Sequence, residues 1–176
     1  MKRPILKWEL VGIAIISSVG ALLHFAFEWS GQLPPIGVFA AVNESVFEHL
    51  KLTYWPALLY AAIEYRLVRN SANNFLVAKT AGVYVMPAVI MALFYGYTAA
   101  TGTENLIADI MIFIGAVALG QLTSYRILTR PRLRNSYHIS ALVGIISLGV
   151  IYAVFTFRPP QLPMFLDPIT GTYGIP

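Results

Sequence analysis

The sequence predicts an all-α fold: an integral membrane helical bundle with about five transmembrane helices and one re-entrant or interfacial helix, N-inside and C-outside. Three observations predict it. Hydrophobic residues make up 57% of the chain and charged residues 11%, more apolar than an ordinary soluble domain. The mean hydropathy is +0.68. The runs 10–27, 80–100 and 139–157 contain no Asp, Glu, Lys or Arg, and roughly 20 such residues in a helix cross a hydrocarbon core of about 30 Å.

The elements follow in order as one transmembrane domain, residues 1–176. The first span covers about 8–29, with Trp8 and Trp29 at its ends, where amphipathic rings favour the interface. Lys2, Arg3 and Lys7 precede it like the basic start of a signal peptide. The apolar stretch is too long for an h-region and no Ala-x-Ala site closes it, so it reads as a retained signal-anchor. The second span, about 52–67, is interrupted by Pro56, which removes a helical hydrogen bond or kinks the helix. The third, fourth and fifth spans cover about 75–100, 104–125 and 137–157.

Basic residues set the orientation. Lys2, Arg3 and Lys7 lie before span one; Arg66, Arg69 and Lys79 between spans two and three; Arg126, Arg130, Arg132 and Arg134 between spans four and five. The other side carries only Lys51 and Arg158. Positive loops stay inside, so the N-terminus is inside and the C-terminus outside. The net charge of +4 is therefore a loop effect and implies no nucleic-acid partner; the partner is the lipid bilayer. The absence of cysteine excludes disulfides, thiolate nucleophiles and Cys ligands.

Residues 36–50 form the re-entrant or interfacial segment, about 20 Å long as a helix and too short to cross. The alternative is one kinked helix running on through Pro56. The tail, 158–176, is rich in Pro and Gly but carries Met164, Phe165, Leu166, Ile169 and Tyr173. It reads as an ordered lid on the outer face.

The chemistry concentrates in Asn43-Glu44-Ser45-Val46-Phe47-Glu48-His49-Leu50-Lys51. Charge set against hydrocarbon costs roughly 2.5–3.5 kcal/mol per residue, so such a cluster between spans implies a use. His24 and Glu28 share a helix face at i,i+4, as do Glu44 and Glu48. Topology puts all of these on the outer side with Asp109 and Asp167. Carboxylates and imidazoles without thiols suit a divalent Zn, Mn, Fe or Mg ion. The candidate ligands are His24, Glu28, Glu48, His49 and Asp167, with Glu44 and Glu48 as catalytic bases for metal-assisted hydrolysis. Glu48 and His49 sit about 100° apart on a helix, so one serves the pocket while the other holds the fold. Each residue also has a plainer reading. Glu44, Glu48 and Lys51 would form a solvated face with a Glu48–Lys51 pair; His24 a helix–helix hydrogen bond; Asp167 a turn; Glu64 an interfacial pair with Arg66.

The phrases His24-Phe25-Ala26-Phe27-Glu28-Trp29-Ser30, Val42 through Leu52, and Asp167-Pro168-Ile169-Thr170-Gly171-Thr172-Tyr173-Gly174-Ile175 resemble, together, a family of small multi-pass membrane proteins from bacteria and archaea whose function is unassigned. That resemblance implies a prokaryotic plasma-membrane protein and a role for Asp167 beyond a turn, and it supplies no activity. Two further function classes stand beside a lipid-directed or extracytoplasmic hydrolase. A small ion or proton transporter would use the same carboxylates and require a homo-oligomer. A scaffold subunit would use the cluster only to hold the segment and tail.

Overall fold

The computed structural model describes residues 2–175. Six α-helices follow in order: α1 (Lys2–Trp29), α2 (Pro34–Gly37), α3 (Val46–Val68), α4 (Phe75–Thr101), α5 (Leu106–Leu128) and α6 (Asn135–Phe157). A 3-10 turn at Pro163–Phe165 follows. Among the described residues the only β-pairing is an isolated bridge, Leu166 to Tyr173. The molecule is a helical bundle in which α1, α4, α5 and α6 are long and apolar enough to cross a membrane.

Helix α3 is different. At 23 residues it reaches about 34 Å, but it carries Glu48, Lys51, Glu64 and Arg66 and is less apolar than its neighbours. It packs against α1, α4 and α6, and Glu48, Lys51 and Glu64 face that interior. Exposed apolar side chains lie on all the long helices: Leu59 and Ile63 on the outer face of α3, and Leu22, Leu93, Ile107, Met111, Val143 and Val150 on its neighbours.

Two close approaches hold the bundle together. A Cβ on Gly82 would lie 3.1 Å from the Gly120 carbonyl oxygen, and one on Gly120 would lie 3.0 Å from the Gly82 oxygen. Helices α4 and α5 therefore touch backbone to backbone, the contact that small residues permit between membrane helices. A Cβ on Gly20 would meet the Leu52 carbonyl oxygen at 2.7 Å. Pro56 lacks the N–H that would bond this carbonyl within α3, and α1 packs directly over the gap. Pro56 thus lies inside one continuous helix.

Loops at the two ends are fixed by side chains. Asn74, between α3 and α4, donates to the carbonyls of Ile127 and Pro131 at 3.2 and 3.0 Å and accepts from Leu133 N–H at 2.8 Å. It ties the α3–α4 loop to the α5–α6 loop. At the other end Asn105 caps α5 by accepting from Ile107 and Ala108 N–H. Tyr97 donates to Asp109 at 2.6 Å and braces the same turn.

Three expectations need correction. Residues 36–50 do not form one short helix. Helix α2 ends at Gly37 and α3 begins at Val46, earlier than residue 52. The chain between them is irregular, because polar side chains satisfy its backbone in place of helical bonds. Glu64 does not pair with Arg66. Residues two apart on a helix face different directions, and Glu64 turns inward to Lys79. Lys79 in turn is not a loop charge but a buried residue of α4.

Candidate metal centre

One end of the bundle brings His24, Glu44 and His49 together. His24 comes from the C-terminal part of α1, His49 from the first turn of α3, and Glu44 from the irregular stretch before it. His24 Nε2 lies 3.0 Å from His49 Nε2. Glu44 Oε2 lies 3.5 Å from each of those nitrogens. From these separations, one point in the plane of the three atoms is about 1.9 Å from all of them. Zinc–nitrogen and zinc–oxygen bonds are about 2.0–2.2 Å, so the spacing of the three donor atoms is compatible with their sharing one ion. These three residues could hold a metal ion.

The supporting contacts suit that role. His49 Nδ1 lies 2.8 Å from the Ser45 carbonyl oxygen. A carbonyl only accepts, so Nδ1 carries the hydrogen; Nε2 then either donates to Glu44, when the ring is protonated, or presents a lone pair to an ion, the usual arrangement of a ligating histidine. His24 lacks that brace, because its Nδ1 is buried without a hydrogen-bond partner. Its ring is held by Phe25 and His49, with centroids 4.8 and 4.9 Å away. Hydrogen bonds from His24 and then from His49 hold the Glu44 carboxyl well below the usual carboxylate range, against the opposing effect of partial burial. The side chains of His24, His49 and Glu44 remain 27%, 32% and 43% exposed, which leaves an open face for a substrate or water.

The other candidate residues lie elsewhere. Glu48 is buried one helix position from His49 and faces a different side of α3. Its Oε2 accepts from Val42 N–H at 2.9 Å and pairs with Lys51 Nζ at 2.5 Å. Lys51 also donates to the Gly37 carbonyl at 2.6 Å and to Thr156 Oγ1 at 2.8 Å, so all three of its hydrogens are engaged. This pair fixes the start and the middle of the irregular stretch that presents Glu44, at Gly37 and Val42. Asn43 adds a third anchor: it accepts from Ser45 N–H at 2.9 Å and donates to the Gly174 carbonyl at 2.8 Å. The tail is thereby clasped against the segment, with Phe165 buried 4.5 Å from Phe47 by ring centroid. Asp167 organises the tail itself. It accepts from Ile169 N–H and Thr170 Oγ1 at 2.9 and 2.7 Å. Glu28 is exposed one turn beyond His24 and joins no ion pair among the described residues.

Sequence reasoning missed a second polar centre at the opposite end. Lys79 Nζ lies 2.8 Å from Glu9 Oε1 and 2.6 Å from Glu64 Oε2, and Ser124 Oγ donates to Glu9 Oε1 at 2.7 Å. The available signal was an ionisable residue inside each apolar helix: Glu9 directly after Trp8, and Lys79 directly before the uncharged run 80–100.

No curated protein and no solved structure matches the chain. A family model covering residues 1–175 does match, and the chain belongs to that family, a family of unknown function (DUF6512).

Proposed function

We propose that this is a metal-dependent hydrolase of the membrane surface, with one divalent ion held by His24, Glu44 and His49. The observation that carries the reading is the common distance of the three donor atoms from one point, with His49 Nδ1 already engaged by the Ser45 carbonyl. Two imidazoles and a carboxylate favour Zn, Fe or Mn over Mg, which prefers oxygen. Three protein ligands with an open position are the arrangement of catalytic rather than structural zinc. A bound ion would supply water acidified to near neutrality. Glu28, exposed and on the same face of α1 as His24, is the free carboxylate suited to take a proton from that water. Glu48 would act indirectly, by holding the segment that carries Glu44.

The substrate class we infer is a lipid-linked or extracytoplasmic ester or phosphoester. Phe25, Trp29 and Phe39 are exposed near this end of the bundle, where an acyl chain could lie beside the centre. In this reading α3 is a fifth span that turns its charged residues inward and Leu59 and Ile63 outward to lipid, and the basic α3–α4 and α5–α6 loops face the cytoplasm of a prokaryotic cell. The tail and the metal centre then face outward.

Elemental analysis of the purified full chain tests the reading. About one equivalent of zinc, iron or manganese is expected in the wild type, and a small fraction of that in His49→Ala. Equal metal content in the two proteins overturns it. Loss of turnover in Glu28→Gln with metal retained would place Glu28 in the chemistry.

A further inference from the structure

The end of the bundle opposite the metal centre holds a charge imbalance. Glu9 from α1, Glu64 from α3 and Lys79 from α4 meet there, at 0%, 0% and 5% exposure. Both carboxylates contact the same Nζ, so their nearest oxygens lie within about 5.4 Å of each other. The surrounding groups add no charge. Helix α5 contributes Ser124 and Gln121, whose Nε2 reaches the Glu9 carbonyl oxygen at 3.4 Å. Helix α3 contributes Tyr60, whose hydroxyl donates to the Trp8 carbonyl. The ring of Phe75 lies on the remaining side of Lys79, 5.4 Å from Nζ.

Two carboxylates and one ammonium, all ionised, leave a net charge of −1 enclosed among helices. An uncompensated buried charge is among the least tolerated features of a folded protein. Glu9 Oε2 and Glu64 Oε1 are also enclosed without a hydrogen-bond partner. Both facts call for the same missing element, one positive charge seated on a carboxylate oxygen. The Glu48–Lys51 pair at the other end shows the balanced alternative, with one carboxylate, one ammonium and every ammonium hydrogen bonded.

We propose that Glu9 and Glu64 form a buried site for one exchangeable monovalent cation, a proton carried on one of the two carboxylates, with sodium as its competitor. The proton comes from bulk water and forms an O–H bond on a carboxylate oxygen, which brings the centre from −1 to neutral. The remaining carboxylate keeps its ion pair with Lys79. The site lies about one to two helical turns inside the ends of α1, α3, α4 and α5. Exposed Arg3 and Lys7 stand at the mouth of that end. Ionisable groups at such depth commonly bind or relay ions. The site is independent of the metal centre and would stand if that centre bound nothing.

Infrared spectroscopy of the full chain in lipid, titrated through neutral pH in choline chloride and in sodium chloride, tests the proposal. In choline the wild type should show the C=O band of a protonated carboxyl that shifts in D2O. Glu9→Gln and Glu64→Gln should each abolish it, because Lys79 then balances the one carboxylate that remains. Both variants should melt no lower than the wild type, since each removes the surplus charge. A band present in choline and lost in sodium, with a rise in melting temperature absent from both variants, assigns sodium as a second occupant of the same site. A wild type with neither a protonated-carboxyl band nor sodium-dependent stabilisation overturns the proposal. So does a band that persists unchanged in both variants. Should one variant fail to fold, the other carries the comparison, and the wild-type titration in the two salts decides on its own.

Discussion

The two ends of the bundle solve opposite problems with similar residues. At one end His24, Glu44 and His49 stand about a quarter to two-fifths exposed, and their donor atoms converge on a single point. At the other, Glu9, Glu64 and Lys79 are sealed among four helices with one negative charge in surplus. An open set of two imidazoles with one carboxylate suits a divalent ion that exchanges ligands with water. A closed pair of carboxylates around one ammonium suits a proton. The first end also has a support that the second lacks: the balanced Glu48–Lys51 pair beneath the segment that presents Glu44. Charge balance therefore distinguishes a pair that holds the fold from the two centres proposed to bind an ion.

Substitutions can break that comparison, and the largest effect belongs to Lys79. Lys79→Met leaves two carboxylates uncompensated and should cost about 3–5 kcal/mol or more of stability, read as a large drop in melting temperature or failure to fold. Glu9→Gln, in the same centre, should cost almost nothing. Similar losses in the two variants would show that the centre is a plain structural network. Lys51→Met comes next. It strands Glu48 and releases the Gly37 carbonyl and Thr156, so about 3 kcal/mol should be lost. Metal affinity should fall as well, because the segment carrying Glu44 loosens. Unchanged metal binding in a folded Lys51→Met protein would separate the segment from the site.

Glu44 should show the smallest effect on stability and the sharpest effect on binding. Its side chain is 43% exposed, so Glu44→Gln should change stability by no more than about 1 kcal/mol while metal content drops severalfold. The pH dependence has a definite sign. Folding lowers the Glu44 pKa through its hydrogen bonds to His24 and His49. Its contribution is therefore present above the unfolded carboxylate value and lost as pH falls through the folded one. Melting curves of wild type and Glu44→Gln in chelator should converge on acidification. Metal binding should weaken on acidification as well, because protons compete with the ion for its donor atoms.

Much of the fold was legible in the sequence, because helices long and apolar enough to cross a membrane stand out as long uncharged runs. The edges of α4 and α6 fall within two residues of the spans expected at 75–100 and 137–157, and Trp29 closes α1. Part of the candidate site was legible too. The divergence of Glu48 and His49 on one helix follows from 100° per residue, and the structure sends His49 to the open centre and Glu48 to Lys51. The irregular course of the chain before Val46 was not legible. It depends on a lysine in α3 reaching back to Gly37 and a glutamate reaching back to Val42. Nor was the Glu9–Glu64–Lys79 centre, whose members lie on three helices and meet only after those helices pack. Local spacing reports which face a residue takes; it does not report which distant residue waits there.

The metal centre is the central claim, and X-ray absorption at the metal edge of the zinc-loaded full chain tests it most directly. The account predicts a first shell of nitrogen and oxygen at about 2.0–2.1 Å, with outer-shell scattering from two imidazoles that falls to one in His24→Ala. A wild-type spectrum without imidazole scattering, or one unchanged by that substitution, would contradict it.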